Sequence, residues 1–126
     1  MQAKLNHIAL LITDLEKARQ FYGKILGFQE IERPKFLTKG LWYSLGSFEL
    51  HLMLYEQAAS PQIHPLNKTV QPHFAVSIPK TQLNIILDKL KDHGVNPVTV
   101  ASYSPAGILQ VFFYDFDNNM IEFNEE

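Results

Sequence analysis

The chain has 126 residues, 46% of them hydrophobic, and 11 Lys+Arg against 13 Asp+Glu give a formal net charge of −2. That length and apolar content suit one compact domain with a real core, and a balanced charge leaves no electrostatic footprint for nucleic acid. No stretch approaches the roughly 18–20 apolar residues of a membrane span, and with no cysteine present disulfides and thiolate metal sites are excluded, so a cytoplasmic protein is expected.

Residues 4–12 alternate as a strand should, and Asp14 and Glu16 close the apolar run too early for a signal peptide. Thr13 or Asp14 then offers an N-cap, and DLEKARQFYGKILG places Leu15, Ala18, Phe21, Tyr22, Ile25 and Leu26 on one helical stripe. Gly27 stands where a helix C-terminus wants a left-handed residue. A short strand follows near residues 28–32, then a loop with Pro34, and LWYSLG and FELHLML form a hairpin joined at Gly46 and Ser47. Residues 56–71, with two prolines and no periodicity, read as a connector.

The same order then starts again. HFAVSI is a strand, Thr81 is placed to cap the helix TQLNIILDKLKDH with its stripe Leu83, Ile86, Leu87 and Leu90, and Gly94 ends it. VNPV is a short strand, and GILQVFFYDFDNNMIEFNE is a second hairpin with a longer turn at residues 115–119. Spacing supports a duplication. His7 to Gly27 is 20 residues and His73 to Gly94 is 21; Gly27 to Gly40 and Gly94 to Gly107 are both 13; Gly40 to His51 is 11 and Gly107 to Glu122 is 15, the longer turn taking the difference. The expected fold is α+β: one domain over residues 1–126, with βαβββ units at about 1–55 and 72–126 forming a curled eight-stranded cup.

The repeat maps His7 onto His73 and His51 onto Glu122, each within a strand. Period two then separates Leu50 and Leu52 from Glu49, His51 and Met53, and Ile121 and Phe123 from Met120, Glu122 and Asn124. If the apolar sets pack under the helices, the other faces hold ionisable groups whose burial is costly unless they are paired or bound to a cation. A lone strand histidine is more often hydrogen-bonded or exposed than a ligand. At repeat-related positions, His7, His51, His73 and Glu122 point to a metal site, and three imidazoles with a carboxylate suit Zn, Ni, Fe, Co or Mn before Mg or Ca. His64 in the connector and His93 at a helix C-terminus are expected to be structural.

LNHIAL with the following helix, LWYSLGSFELHLM, PHFAV and GILQVFFYDFDNNMIEF resemble the vicinal oxygen chelate superfamily along nearly the whole chain. That group includes lactoylglutathione lyase (glyoxalase I), fosfomycin-inactivating enzymes, methylmalonyl-CoA epimerase, extradiol dioxygenases and bleomycin-sequestering proteins. The resemblance implies His7 and His73 as first-strand ligands, Glu122 as last-strand ligand and catalytic base, and a homodimer acting on a small molecule. His51 departs from the pattern, because lyase and epimerase members usually place a glutamate there. The turn DFDNN departs from Asp-Pro-Asp-Gly-Asn, with Asn118 able to take the left-handed backbone. Tyr114 stands where an arginine is common. Arg33 and Lys35 are then the nearest cations for an anionic substrate, although both are expected to be solvated loop charges.

The leading expectation is a metal-dependent lyase or isomerase in which the ion chelates vicinal oxygens and Glu122 moves the proton. A fosfomycin-type transferase or hydrolase would need a basic, hydroxyl-rich pocket that the sequence does not display. An iron-dependent dioxygenase would use His73, Glu122 and a further histidine, but ring-cleaving members are typically about twice as long. A metal-free drug-binding module would ordinarily lack the ligands.

Overall fold

The computed structural model describes residues 1–55, 72–103 and 108–126, so the expected connector 56–71 with His64, and the landmark Gly107, lie outside the described residues. The chain divides into two compact units, Met1–Pro61 and Gln62–Glu126. The first runs β1 (His7–Ile12), α1 (Leu15–Ala18), β2 (Gln29–Ile31), β3 (Gly40–Ser44) and β4 (Glu49–Leu54); the second runs β5 (His73–Ile78), α2 (Lys80–Asp92), β6 (Thr99–Tyr103), β7 (Ile108–Tyr114) and β8 (Met120–Glu125). Each forms a four-stranded sheet, in the orders β1-β4-β3-β2 and β5-β8-β7-β6, so the two βαβββ units share one topology.

Register makes the duplication quantitative. His51 on β4 lies opposite Ala9, two residues after His7, and Glu122 on β8 lies opposite Ala75, two residues after His73. On the other side His51 faces Trp42 and Glu122 faces Phe112. In a sheet a one-residue slip would turn either side chain to the opposite face.

In the first unit Asp14 caps α1, its extended backbone (φ −149°) letting the carboxylate accept from Lys17 N at 3.0 Å. The expected regular helix becomes a π-helix over Arg19–Ile25, with Leu26 N donating to Phe21 O at 2.9 Å. The stripe nonetheless faces inward. Phe21, Tyr22 and Ile25 are fully buried, as are Tyr43, Leu50 and Leu52 from the sheet. Gly27 has φ +74°, the left-handed residue that lets the chain leave the helix.

In the second unit α2 begins early, its N-cap falling at Pro79, two residues before Thr81. The Pro79 carbonyl accepts from Gln82 N and Leu83 N, both at 3.0 Å, so Thr81 lies inside the first turn and is not the N-cap. The expected VNPV strand is also displaced. Pro97 has no N–H to donate to a ladder, and pairing starts only when Val98 N reaches Phe112 O at 2.7 Å, just before β6. Phe74, Leu83, Leu90, Ile121 and Phe123 fill this unit's core. The β7–β8 turn is held by Asp115, whose Oδ1 accepts from Asp117 N (2.8 Å) and Asn119 N (2.9 Å) while Oδ2 accepts from Asn119 Nδ2 (2.9 Å). Asn118 takes φ +64°, as the sequence anticipated. No helix among the described residues is long and apolar enough to cross a membrane.

Candidate metal and substrate site

Each unit brings two of the expected ligands together. In the second unit, alternation along β8 sends Ile121 and Phe123 into the core, while Glu122 projects towards β5 and β7. Glu122 is buried, and its carboxylate is bound from both sides. His73 Nε2 donates to Oε2 at 2.9 Å and Gln110 Nε2 donates to Oε1 at 2.8 Å. The His73 side chain is about a third exposed, so the imidazole forms the open side of a pair whose acid is closed off. Two donors 2.9 Å apart can both reach one ion at the usual bond lengths of about 2.0–2.2 Å.

In the first unit the His7 and His51 rings stack, with centroids 4.1 Å apart and planes 14° from parallel. His51 is in turn sandwiched by Trp42, at 3.8 Å and 0°. Amide and carboxylate oxygens only accept, so His7 Nδ1 donates to Asn6 Oδ1 at 2.7 Å and His51 Nε2 donates to Glu49 Oε2 at 2.7 Å. In the neutral rings the remaining lone pairs then fall on His7 Nε2 and His51 Nδ1, and such outer partners are how metal-binding imidazoles are commonly oriented. Within neither unit, among the described residues, do three or more His, Cys, Asp or Glu side chains form a group able to hold an ion.

A cavity of about 550 Å³ opens on this face of the first sheet, its walls including His7, His51, Trp42, Arg33, Phe36 and Met53. Arg33 is only partly exposed, which corrects the expectation of a solvated loop charge; Lys35 is exposed and does not line the cavity. His93 is structural as expected, capping α2 with Nδ1 donating to Lys89 O at 2.7 Å.

Glu49, Trp42 and Gln110 were not singled out from the sequence. The i, i+2 relation of Glu49 to His51 was a signal that could have found the first. The other two depend on which residues oppose His51 and Glu122 across the hairpins, and one sequence does not give that register.

Residues 4–123 match the model of the Glyoxalase/Bleomycin resistance protein/Dioxygenase superfamily. The chain belongs to this superfamily. Among curated proteins it is similar to Glyoxylase I 4 of Arabidopsis thaliana, 31% identical over 122 residues that cover 94% of this chain and 68% of that one. The fosfomycin resistance protein FosX of Listeria innocua is 24% identical, over 97% of this chain and 89% of its own length. Among solved structures, a variant of FosX from Listeria monocytogenes, complexed with Mn(II) and 1S,2S-dihydroxypropylphosphonic acid, superposes with a TM-score of 0.77 at 22% identity, covering 99% of this chain and 93% of that one. Lactoylglutathione lyase from Agrobacterium tumefaciens gives a TM-score of 0.70 at 19% identity, covering 98% of this chain and 94% of that one. These superpositions establish the shared fold. The α+β architecture of paired βαβββ units is thus common to the superfamily and to this member.

Proposed function

We propose that this glyoxalase-superfamily member is a metal-dependent lyase or isomerase acting on a small molecule with two adjacent oxygens, in the manner of glyoxalase I. The observation that carries this reading is the buried Glu122 carboxylate, held by Gln110 and hydrogen-bonded to His73 at 2.9 Å, in the register position that the repeat gives His51. His7, His51, His73 and Glu122 would hold the ion, and nitrogen donors with one carboxylate suit Zn, Ni, Fe, Co or Mn. Bound there, the ion supplies a Lewis acid for the two substrate oxygens.

The chain's own residues supply the proton transfer. Glu122 is the base, accepting a proton at Oε2 from one substrate carbon and returning it to the neighbour. Gln110 keeps that carboxylate aimed by its bond to Oε1, and Phe112, in edge contact with His73 at 5.6 Å, limits water around the imidazole. Glu49 fixes the His51 ring, and its carboxylate lies beside the position where lyase members usually carry a glutamate. The 31% identity to a glyoxalase I favours this class over the alternatives. The protein further reads as a single domain and a cytoplasmic homodimer, in which the ligand pairs complete one another within a chain or between two.

Protein purified without added ions, then analysed for metal content and for formation of lactoylglutathione, tests the proposal. We expect one transition metal per chain and metal-dependent turnover of a thiol–aldehyde adduct. A Glu122→Ala protein with full metal content and full activity would overturn the role given to Glu122.

A further inference from the structure

We propose that Arg33 and Phe36 set the substrate class: a small organic anion whose flat apolar body separates a carboxylate-type head from the reacting oxygen pair. This rests on the reading of the His7–His51 face as part of the reaction site. The sequence has two arginines, and the structure treats them differently. Arg19 donates to Glu30 at 3.0 Å and Glu16 at 2.8 Å, and the Glu30 hydrogen bond pushes its pKa up. Arg33 has no carboxylate partner among the described residues. Its Nη1 and Nη2 donate to Thr38 O (2.9 Å) and Thr38 Oγ1 (3.2 Å), which fixes the fork while leaving each Nη a second N–H. Its Nε is buried with no acceptor among the described residues. A partly buried guanidinium without an anion is costly, and a bound anion on the remaining N–H groups relieves that cost.

The surroundings are shaped for the guanidinium. Gly40 pairs with Met53 and so shares the His51 face; a Cβ at position 40 would stand 3.1 Å from Arg33 Nε and collide with Leu52 O. The close backbone of Leu52 is the first reason for a glycine there, and the absent side chain also leaves Arg33 Nε its place. Phe36 lies under the guanidinium with its ring centre 4.8 Å from Cζ, and 6.1 Å from the Trp42 ring that covers His51. Phe36 is 54% exposed, a large apolar ring with a face left to cover. Along β4, Met53 marks the Arg33 end and His51 lies two residues away, about 7 Å at the usual rise per residue. That spacing is about the length of a phenyl ring carrying a two-carbon arm, or of a chain of about six carbons. Glu49, the acidic group on this face, stands at the opposite end of the strand, bonded to His51.

The sole tryptophan, Trp42, lies in the cavity and reports binding by its fluorescence. With the intact protein, 3-phenylpropanoate should bind about tenfold more tightly than 3-phenylpropanamide, and more tightly than butanoate, which lacks the ring. Arg33→Gln should bring acid and amide within about twofold, Arg33→Lys should restore part of the gap, and Phe36→Ala should weaken both ligands equally. Equal affinity for acid and amide in the unsubstituted protein, no binding of either at millimolar concentration, or an undiminished gap in Arg33→Gln would each overturn the proposal. Metal content measured in the same Arg33→Gln protein should stay unchanged. Failure here therefore leaves the metal assignment standing, whereas failure of the metal assignment would show in the metal content of the Glu122→Ala protein.

Discussion

At the scale of single residues, Glu122 and Tyr43 show two ways in which a buried polar group is accommodated. Glu122 has both oxygens bonded, so Glu122→Gln keeps its shape and a contact to at least one neighbour while removing the anionic donor. Stability measured by urea unfolding should change by less than about 1 kcal/mol, while stoichiometric metal binding is lost. Glu122→Ala additionally leaves Gln110 Nε2 without its acceptor, at about 1–3 kcal/mol. Tyr43 is fully buried, and its hydroxyl finds no hydrogen-bond partner among the described residues. Burial, with the nearby Glu30 carboxylate adding to it, pushes the phenol up to about 12. A raised folded-state pKa stabilises the fold fully below the unfolded value near 10. The benefit is lost as pH rises from there to about 12. Tyr43→Phe should therefore be as stable as the parent at neutral pH or more so, and should lose about 2–3 kcal/mol less between pH 10 and 12. An alkaline limb of unchanged steepness in the variant would count against this account.

At the scale of elements, the β7–β8 turn is the sharpest test. Asp115 is buried and satisfies three N–H groups of its own turn, so Asp115→Ala should cost about 2–3 kcal/mol. Asn118 at φ +64° should accept Gly without loss, whereas Ala there should cost about 1 kcal/mol, read in the same unfolding experiment. The sequence made this turn legible because Asp and Asn carry local rules. It also made the strands of the ligand face legible, since period two alone puts His51 opposite in sense to Leu50 and Leu52 and the structure buries both leucines. The π-helical segment was not legible: apolar spacings of three and four over Arg19–Ile25 fit either hydrogen-bond register. The start of α2 was missed because the helix begins at Lys80 with no side-chain cap, so the Thr81 hydroxyl was a misleading signal, and the start of β6 because Pro97 lay inside the expected strand. The sequence offered Arg33 as a cation for an anionic substrate but expected it to be solvated, and its partial burial was not legible for a different reason. Its setting depends on Gly40, Thr38 and Phe36 meeting around one guanidinium, and no periodicity records that.

At the scale of the whole molecule, the duplicated topology leaves each unit with two donors and two sheet edges. β1 and β2 are terminal in the first sheet, β5 and β6 in the second, and terminal strands present unpaired N–H and C=O groups that must be paired, covered or blunted. The proposed first-strand ligands His7 and His73 thus stand on edge strands of their own sheets. A second copy of the chain would meet this need by symmetry, and on the proposed site it would allow His7 and His51 of one chain to act with His73 and Glu122 of another. Mixing His7→Ala protein with Glu122→Ala protein, each inactive alone, distinguishes the arrangements. Shared sites should recover activity, because two chains then offer one site with both intact pairs, and about half of the chains should pair as mixed dimers if exchange is random. Sites confined to one chain should recover none, since every chain carries a damaged pair. Sedimentation of the unsubstituted protein as a monomer at micromolar concentration would dispose of the dimer, and with it the shared site.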